Sequence, residues 1–347
     1  MTIDERIALL NDMQEHACVS GLERDLSDYL AGSFSLRQDK TGNLYTFIKG
    51  RGQDKRSVLL EAHLDEIGFV VSDLTDDGFP VCQMIGGFSR DYLPGTEVTV
   101  FARKPFQAVI GSKPPHLSKI KTEEAGNDAV FLAAGFTDKT DAGRYVLPGT
   151  PVHFYGPTKR MDRDFILSRG LDNKASVLAL LEVINRMKSP YHDVTVLLSV
   201  GEETTGLGAK VFTNNRRFDL ALVVDAGFGA AEGLDPTRTL KMGGGPSVSF
   251  TEQDTISLVR RVAEIASKCA LPCQIIAEPG GTGTDSAHIH TRAGGIPTAV
   301  VSIPILNMHS RSEIVADRDI SYTVDLLTAV VNEPDLSYGK EVSYLAD

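Results

Sequence analysis

Thiols are scarce in this 347-residue chain, which has four cysteines: Cys18, Cys82, Cys269 and Cys273. They are too few and too widely spaced to staple a protein of this size or to build a structural zinc ribbon, so they read as reduced structural thiols. Cys269 and Cys273 stand one helical turn apart and can face each other, but the low thiol content of a cytosolic protein argues against a bond. Positive charge is also short, with 35 Lys and Arg against 46 Asp and Glu and a formal net charge of −11. The acids are scattered rather than run together, which suits a solubilising surface and argues against a protein that binds nucleic acid by neutralising phosphates. No run of ~18 consecutive apolar residues occurs, so no transmembrane helix is expected. Acids occupy the first residues, where a secretory signal needs a basic region, and the expected location is cytoplasmic. What the chain does have is a core: 42% of its residues are hydrophobic. That suits one large or two ordinary domains and excludes a disordered or fibrous protein. Eight histidines and 46 acids against four thiols leave room for an oxygen-and-imidazole metal site and little for a thiolate one.

From Ile7 to Phe34 apolar residues recur at helical intervals around a break at Ser20-Gly21, which predicts two short helices. Leu44–Ile48 is aromatic and β-branched behind a Gly-Asn turn, and Ser57–Ala62 is a short apolar run that ends at His63, as in a buried strand delivering a side chain at its carboxyl end. From about residue 73 to 156 the texture changes to short β-rich pieces, Glu97–Phe101 and Gln107–Gly111 among them, punctuated by Gly-Gly, Pro-Gly and Pro-Pro. A small inserted all-β barrel is expected there. Strand and helix then alternate: a helix over Ala175–Met187 opened by Asp172-Asn173, a strand over Val194–Val200, a helix over Ala209–Asn214 and a strand over Leu220–Val224. A helix over Ile256–Ala270 and a strand over Thr298–Ile303 complete the series. The expected fold is an α/β/α sandwich built from residues 1–72 and 157–347, interrupted by a β-barrel domain at 73–156, with ligand sites at strand ends.

Five places end an expected strand or open a helix with a metal-competent residue: His63, Asp172, the pair Glu202-Glu203, Asp225 and His309. Each alone has an ordinary structural explanation, such as a satisfied core histidine, a helix cap or a turn. Together they gain weight, because strand-end residues from different strands converge on one edge of an α/β sheet. Within Ala62-His63-Leu64-Asp65-Glu66-Ile67-Gly68, residues two apart in an extended segment point the same way. Asp65 is therefore expected beside His63, accepting its free ring N–H as outer carboxylates do for metal-bound histidines. Glu202 and Glu203 are adjacent and must diverge on either kind of element, so one can face metal and the other substrate.

These segments resemble, in order and over nearly the whole chain, the motifs of the tetrahedral metallo-aminopeptidases. This is the M42 family of glutamyl and deblocking aminopeptidases, some members of which were once labelled endoglucanases. The strings that carry the resemblance are the His63 segment, Gly170-Leu171-Asp172-Asn173-Lys174, Gly201-Glu202-Glu203 with Gly206-Leu207-Gly208-Ala209, Val224-Asp225 and Met308-His309-Ser310. Ser20-Gly21-Leu22-Glu23, Gly111–Leu117 and Gly283-Thr284-Asp285 support it. The resemblance implies two divalent metal ions bridged by Asp172, one completed by His63 and Asp225, the other by Glu203 and His309. It implies Glu202 as the catalytic carboxylate. Two imidazoles and three carboxylates suit zinc or cobalt, and a shared carboxylate holds two ions ~3.5 Å apart, as in two-metal hydrolases. A bridging hydroxide would be the nucleophile, with Glu202 taking its proton and returning it to the leaving amine. The resemblance further implies peptide substrates with a free N-terminus, and a homo-oligomer assembled through the insert, commonly a dodecameric tetrahedral shell.

The chain departs from the family at several points. Ile305-Leu306-Asn307-Met308-His309 lacks the Arg-Tyr often seen ahead of the histidine, and Phe131–Phe136 replaces an Asp-Ile-Gly-Ala string. Arg311 stands where the family more often has proline; it is either a surface charge or a basic group that selects an acidic first residue. His288 and His290 are expected in a capped helical stretch, His116 and His153 as structural residues, and the Gly243–Gly245 and Gly280-Gly281 stretches as loops without phosphate-cradle spacing. Three rivals share parts of this pattern. A metal-dependent amidase or deacylase would use the same site, and a peptide-binding homologue would keep the fold without turnover. A glycosidase would need Glu202 and Glu203 to flank a bond, which adjacent residues do not do.

Overall fold

The computed structural model describes residues 1–112, 129–278 and 280–338. Two helices open the chain, α1 (Ile3–Gln14), capped reciprocally by Thr2 and Glu5, and α2 (Arg24–Phe34). The break between them is wider than the Ser20-Gly21 dipeptide, running from Glu15 to Glu23. Strands β1 (Arg37–Gln38), β2 (Leu44–Ile48) and β3 (Ser57–His63) follow.

The chain then leaves the sheet to form β4 (Gly68–Leu74), β5 (Pro80–Ile85), β6 (Glu97–Val100), β7 (Phe106–Ile110) and β8 (Ala129–Ala133). A single helical turn, α3 (Lys139–Ala142), leads to β9 (Pro151–Phe154). These six strands close into a barrel in the order β4-β5-β8-β7-β6-β9. The barrel has its own core, in which Phe69, Phe88 and Phe154 meet edge-on at 5.3–5.4 Å between centroids. Its first strand starts at Gly68, earlier than the expected boundary at 73. The reason is that Gly68-Phe69-Val70-Val71 is apolar and carries none of the turn residues by which the insert shows in the sequence.

The second half adds β10 (Lys159–Met161), β11 (Phe165–Ser168), α4 (Leu171–Arg186), β12 (Asp193–Ser199), α5 (Leu207–Thr213) and β13 (Leu220–Phe228). It continues through β14 (Ser247–Phe250), α6 (Ile256–Lys268), β15 (Gln274–Ala277), α7 (Ser286–Ile289), β16 (Thr298–Leu306), β17 (Glu313–Ala316) and α8 (Asp317–Asn332). The main sheet runs β1-β2-β12-β3-β13-β16-β17-β11-β10, with β14 and β15 attached beside β16. Its centre, β12, β3, β13 and β16, is parallel, and these strands are almost continuously apolar because both faces are covered. One face carries α4, α6 and α8; the other carries α5 and α7. The architecture is thus the expected α/β/α sandwich with a barrel inserted between β3 and the second half.

The alternation along the central strands decides where the polar residues go. In β3, Val58, Leu60 and Ala62 face the α4 layer, while Leu59 faces the α5 layer, so His63 falls on the α5 side. In β13, Ala221 and Val223 face the α5 layer and carry Asp225 with them. Helix α4 is buried from Leu171 to Val183, which makes it a central helix rather than a surface one. The expected elements of the second half are present with ends shifted by a few residues. Helix α8 is an addition, although its buried Ile320, Val324, Leu327 and Val331 recur at helical spacing.

Candidate metal centre

His63 is the last residue of β3, and Asp225 lies beside it on the same face of the sheet in neighbouring β13, which runs three residues further, to Phe228, paired with β16. Asp172 lies at the start of α4, where Asp172 and Asn173 have non-helical backbone angles and the peptide between them is cis. Glu202 and Glu203 sit in the turn between β12 and α5, and His309 follows β16 with its backbone in the left-handed region. His63 Nε2 is 3.3 Å from Asp172 Oδ1, 3.5 Å from Asp225 Oδ1 and 3.9 Å from Glu202 Oε2. His309 Nε2 is 3.1 Å from Asp172 Oδ2 and 3.4 Å from Glu203 Oε1. The residues form two three-membered groups, His63-Asp172-Asp225 and Asp172-Glu203-His309, and each group's ligand atoms lie within 4.8 Å of one another. Asp172 belongs to both and offers one oxygen to each imidazole.

The far side of each ring is held by main chain. His63 Nδ1 is 3.0 Å from the carbonyl of Asp65, and His309 Nδ1 is 2.5 Å from the carbonyl of Gly87, in the barrel. With Nδ1–H given to a carbonyl, each Nε2 confronts carboxylate oxygens, and only a proton or a metal ion satisfies both sides. The donor set therefore fits divalent cations. Desolvation favours a neutral His309 ring, yet Asp172 and Glu203 outweigh it and push its pKa up to about 11. His63 is likewise raised, its burial outweighed by Asp225, Asp172 and Asp65. Glu202 is pushed up to about 10 by burial, against the pull of His63 and with Asp225, Asp285 and Glu203 adding to the rise.

Asp65 acts differently from the expectation that its carboxylate takes the His63 ring N–H. That N–H meets the main-chain oxygen, and the nearest carboxylate oxygen is 3.7 Å away. The carboxylate instead accepts the backbone N–H of Glu202 and of Glu203, both at 3.0 Å. It thereby fixes the turn from which the two glutamates diverge, Glu202 toward His63 and Glu203 toward His309. A second carboxylate, unforeseen from sequence, works the same way. Glu313, at the start of β17, accepts the N–H of Asp172 at 3.0 Å and of His309 at 2.8 Å. The one signal for it is an acid opening a buried strand four residues after His309. Beneath His63, Ser199 Oγ lies 2.6 Å from Glu61 and 2.8 Å from Asp285, the acid of the Gly283-Thr284-Asp285 string.

The remaining candidates lie apart from the centre. All four cysteines are free, and burial pushes the Cys18 and Cys82 thiols up to about 12. Cys18, Glu66 and His153 make a third ligand-like cluster, but Arg169 and Lys174 both pair with Glu66 there and take the place a cation would have. His153 accepts the Cys18 N–H at 3.0 Å and meets Glu66 at 2.9 Å, tying barrel to sandwich. The Gly243 and Gly245 N–H groups donate to Asp319, so that glycine loop is occupied by the chain's own carboxylate. His290 Nδ1 meets the Ser286 carbonyl at 2.8 Å, and neither it nor His288 joins a ligand group among the described residues. His116, with the rest of Lys113–Leu117, lies outside the described residues. Arg311 is exposed and lines a groove of about 820 Å³ between barrel and sandwich, not the cavity of about 210 Å³ that holds the metal groups.

The sequence pattern of the M42 glutamyl aminopeptidase family matches residues 42–326, from β2 into α8. The chain belongs to this family. M42 enzymes are metal-dependent, and their relatives are named aminopeptidases, so the chain is a peptide hydrolase. It is 26% identical to a lysyl aminopeptidase of Pyrococcus furiosus over 324 residues, 92% of each chain. Its fold matches that of the TET aminopeptidase of a marine-sediment Thaumarchaeota archaeon with a TM-score of 0.87, at 25% identity over 96% of this chain and 97% of that one. It also matches the Pyrococcus horikoshii TET1 peptidase, with a TM-score of 0.83 and 26% identity over 96% of this chain and all of that one. That peptidase is described as assembling into a tetrahedron or a large octahedral shell.

Proposed function

We infer that this M42 protein is a dinuclear metal-dependent aminopeptidase that removes N-terminal residues from peptides in the cytoplasm. The observation that carries the reading is Asp172, whose two carboxylate oxygens face two different imidazoles, each with a further carboxylate at hand. His63 and Asp225 would hold one ion, Glu203 and His309 the other, and Asp172 both. Zinc or cobalt, bound there, would supply Lewis acidity toward the attacking water and the scissile carbonyl.

Glu202 belongs to neither ligand group and stands on the cavity wall beside His63. In this reading it takes a proton from the attacking water and passes it to the departing amine, so the scissile C–N bond breaks as a C–O bond forms. Asp65 is a positioning residue: by holding both N–H groups of the Glu202-Glu203 turn, it keeps the proton carrier and the metal carboxylate pointing apart. A cavity lined by carboxylates suits a protonated α-amino group, which supports exopeptidase action at a free N-terminus.

Assembly through the barrel is part of the same proposal. Tyr92, Phe131, Tyr145 and Leu147 are exposed on it at 43–72%, as expected of a surface that meets another subunit. The activity is tested by stripping metal with a chelator, reloading with zinc or cobalt, and assaying aminoacyl amides with free and with acetylated N-termini. Metal-restored turnover of the free amines alone is expected. Preference for the acetylated set would replace the aminopeptidase with an amidase or deacylase.

A further inference from the structure

The cavity that holds the metal groups and the larger groove beside it share Met308 and His309, so they form one path of unequal width. An aminopeptidase accepts one residue on the amino side of the scissile bond and any length of chain on the other. The 210 Å³ cavity suits the first residue, and the 820 Å³ groove suits the chain that follows it. This assignment rests on the aminopeptidase reading above.

Beyond the ligand groups and Glu202, the wall of the small cavity is mostly apolar, with Phe228, Leu240, Ile276 and Met308. Glu278 is the remaining ionisable side chain among the described residues that line it. We propose that Glu278 makes this a site for peptides whose first residue is cationic, lysine or arginine, with the charged end against the Glu278 carboxylate and the methylene stem along the apolar wall.

Three observations support the assignment. First, Glu278 is held by backbone. Strand β15 pairs with β14, which pairs with β16, and the Glu278 N–H extends the ladder by donating to the Phe250 carbonyl at 3.0 Å. Ile276 and Glu278, two apart in this extended stretch, both face the cavity. Second, its carboxylate has no Lys, Arg or His within ion-pair distance among the described residues. Partial burial pushes its pKa up, while the Ser249 hydroxyl and the charge of Arg238 pull it back; a cation arriving from solvent therefore meets a carboxyl group that no other cation among the described residues already holds in an ion pair. Third, the wall carries no lysine or arginine among the described residues, and Arg311 lines the groove instead. An acidic first residue would thus bring a like charge to Glu278, on a wall with no lysine or arginine among the described residues to receive it.

The metal-loaded, full-length protein is assayed on lysyl, arginyl, norleucyl, leucyl and glutamyl amides, all with free N-termini. Lysyl and arginyl amides should lead in kcat/KM and glutamyl amide should come last. Glu278→Gln should lower the lysyl-to-norleucyl ratio of kcat/KM about tenfold, mainly through KM, since the interaction lost is a charge pair with the bound substrate. Glu278→Lys should shift preference toward glutamyl amide. If Glu278→Gln fails to fold, the wild-type ranking and the relative inhibition by free L-lysine and L-norleucine decide the matter. Leucyl or glutamyl amide outrunning lysyl amide in the wild type, norleucine inhibiting more strongly than lysine, or an unchanged ratio in a folded Glu278→Gln variant would overturn the Glu278 assignment and leave the aminopeptidase standing. Failure to cleave any of the five amides would overturn the aminopeptidase reading, and this inference with it.

Discussion

At Asp172 one side chain serves two imidazoles, so its loss should reach both ligand groups, whereas Glu202 belongs to neither. Asp172→Ala is expected to lower bound metal at both positions, and His63→Ala chiefly at one. Glu202→Gln should keep both ions and lose turnover by about 10²–10⁴-fold, the usual weight of a general base. Metal analysis of the folded variants, set beside turnover, checks this, and a fully active Glu202→Gln would remove the proton role. At this scale the sequence is legible where residue type and strand end coincide, as for His63, Asp225 and His309. It is mute where the contact is to main chain. Glu313 and the Asp65 carboxylate act by accepting backbone N–H groups; spacing brings Asp65 to notice beside His63, but any buried acid has the chemistry to accept an N–H, so the sequence does not say which groups these two hold.

Among elements, the long parallel strands and α4 are legible because burial on both faces writes an apolar run. The two-residue β1 and the four-residue β14 and β15 are too short to carry a period of their own. Gly208 shows what a motif glycine does: a Cβ there would lie 2.4–2.5 Å from the backbone of Val200, so α5 can start hard against the end of β12 only with a hydrogen in that place. The join between barrel and sandwich depends on a buried neutral histidine. His153 has its pKa lowered to about 4 by burial, with the Arg169 charge adding to the effect and Glu66 opposing it. Its ring takes up a proton more readily in the unfolded chain, where the value is near 6.5. The stability it supports is complete above that value and drains away as pH falls toward 4, by up to about 3 kcal/mol. Unfolding midpoints measured from pH 7 to pH 4.5 should fall, and His153→Gln should flatten this part of the slope. An unaltered slope in the variant would assign the acid lability to other groups.

For the whole molecule, the inserted barrel gives the chain two cores and an exposed apolar surface that a monomer would leave in water. Light scattering on a sizing column at micromolar concentration should return a multiple of the single-chain mass, and Leu147→Glu should reduce it. A wild-type monomer peak would end the proposal of assembly through the barrel. The insertion itself is legible as a change of texture, but the contacts between its loops and the sandwich are long-range and have no local pattern.

One of those contacts reaches further than its size suggests. The acceptor that orients the His309 ring is the carbonyl of Gly87, and a carbonyl belongs to every residue. No side-chain substitution deletes it; only a change in the path of the loop does. At this contact the side chain is free to change so long as the oxygen keeps its address, and comparing sequences would overlook the constraint. A neighbouring subunit that gripped the barrel would in the same act hold one wall of the metal centre, and the strength of that grip would be readable in catalysis.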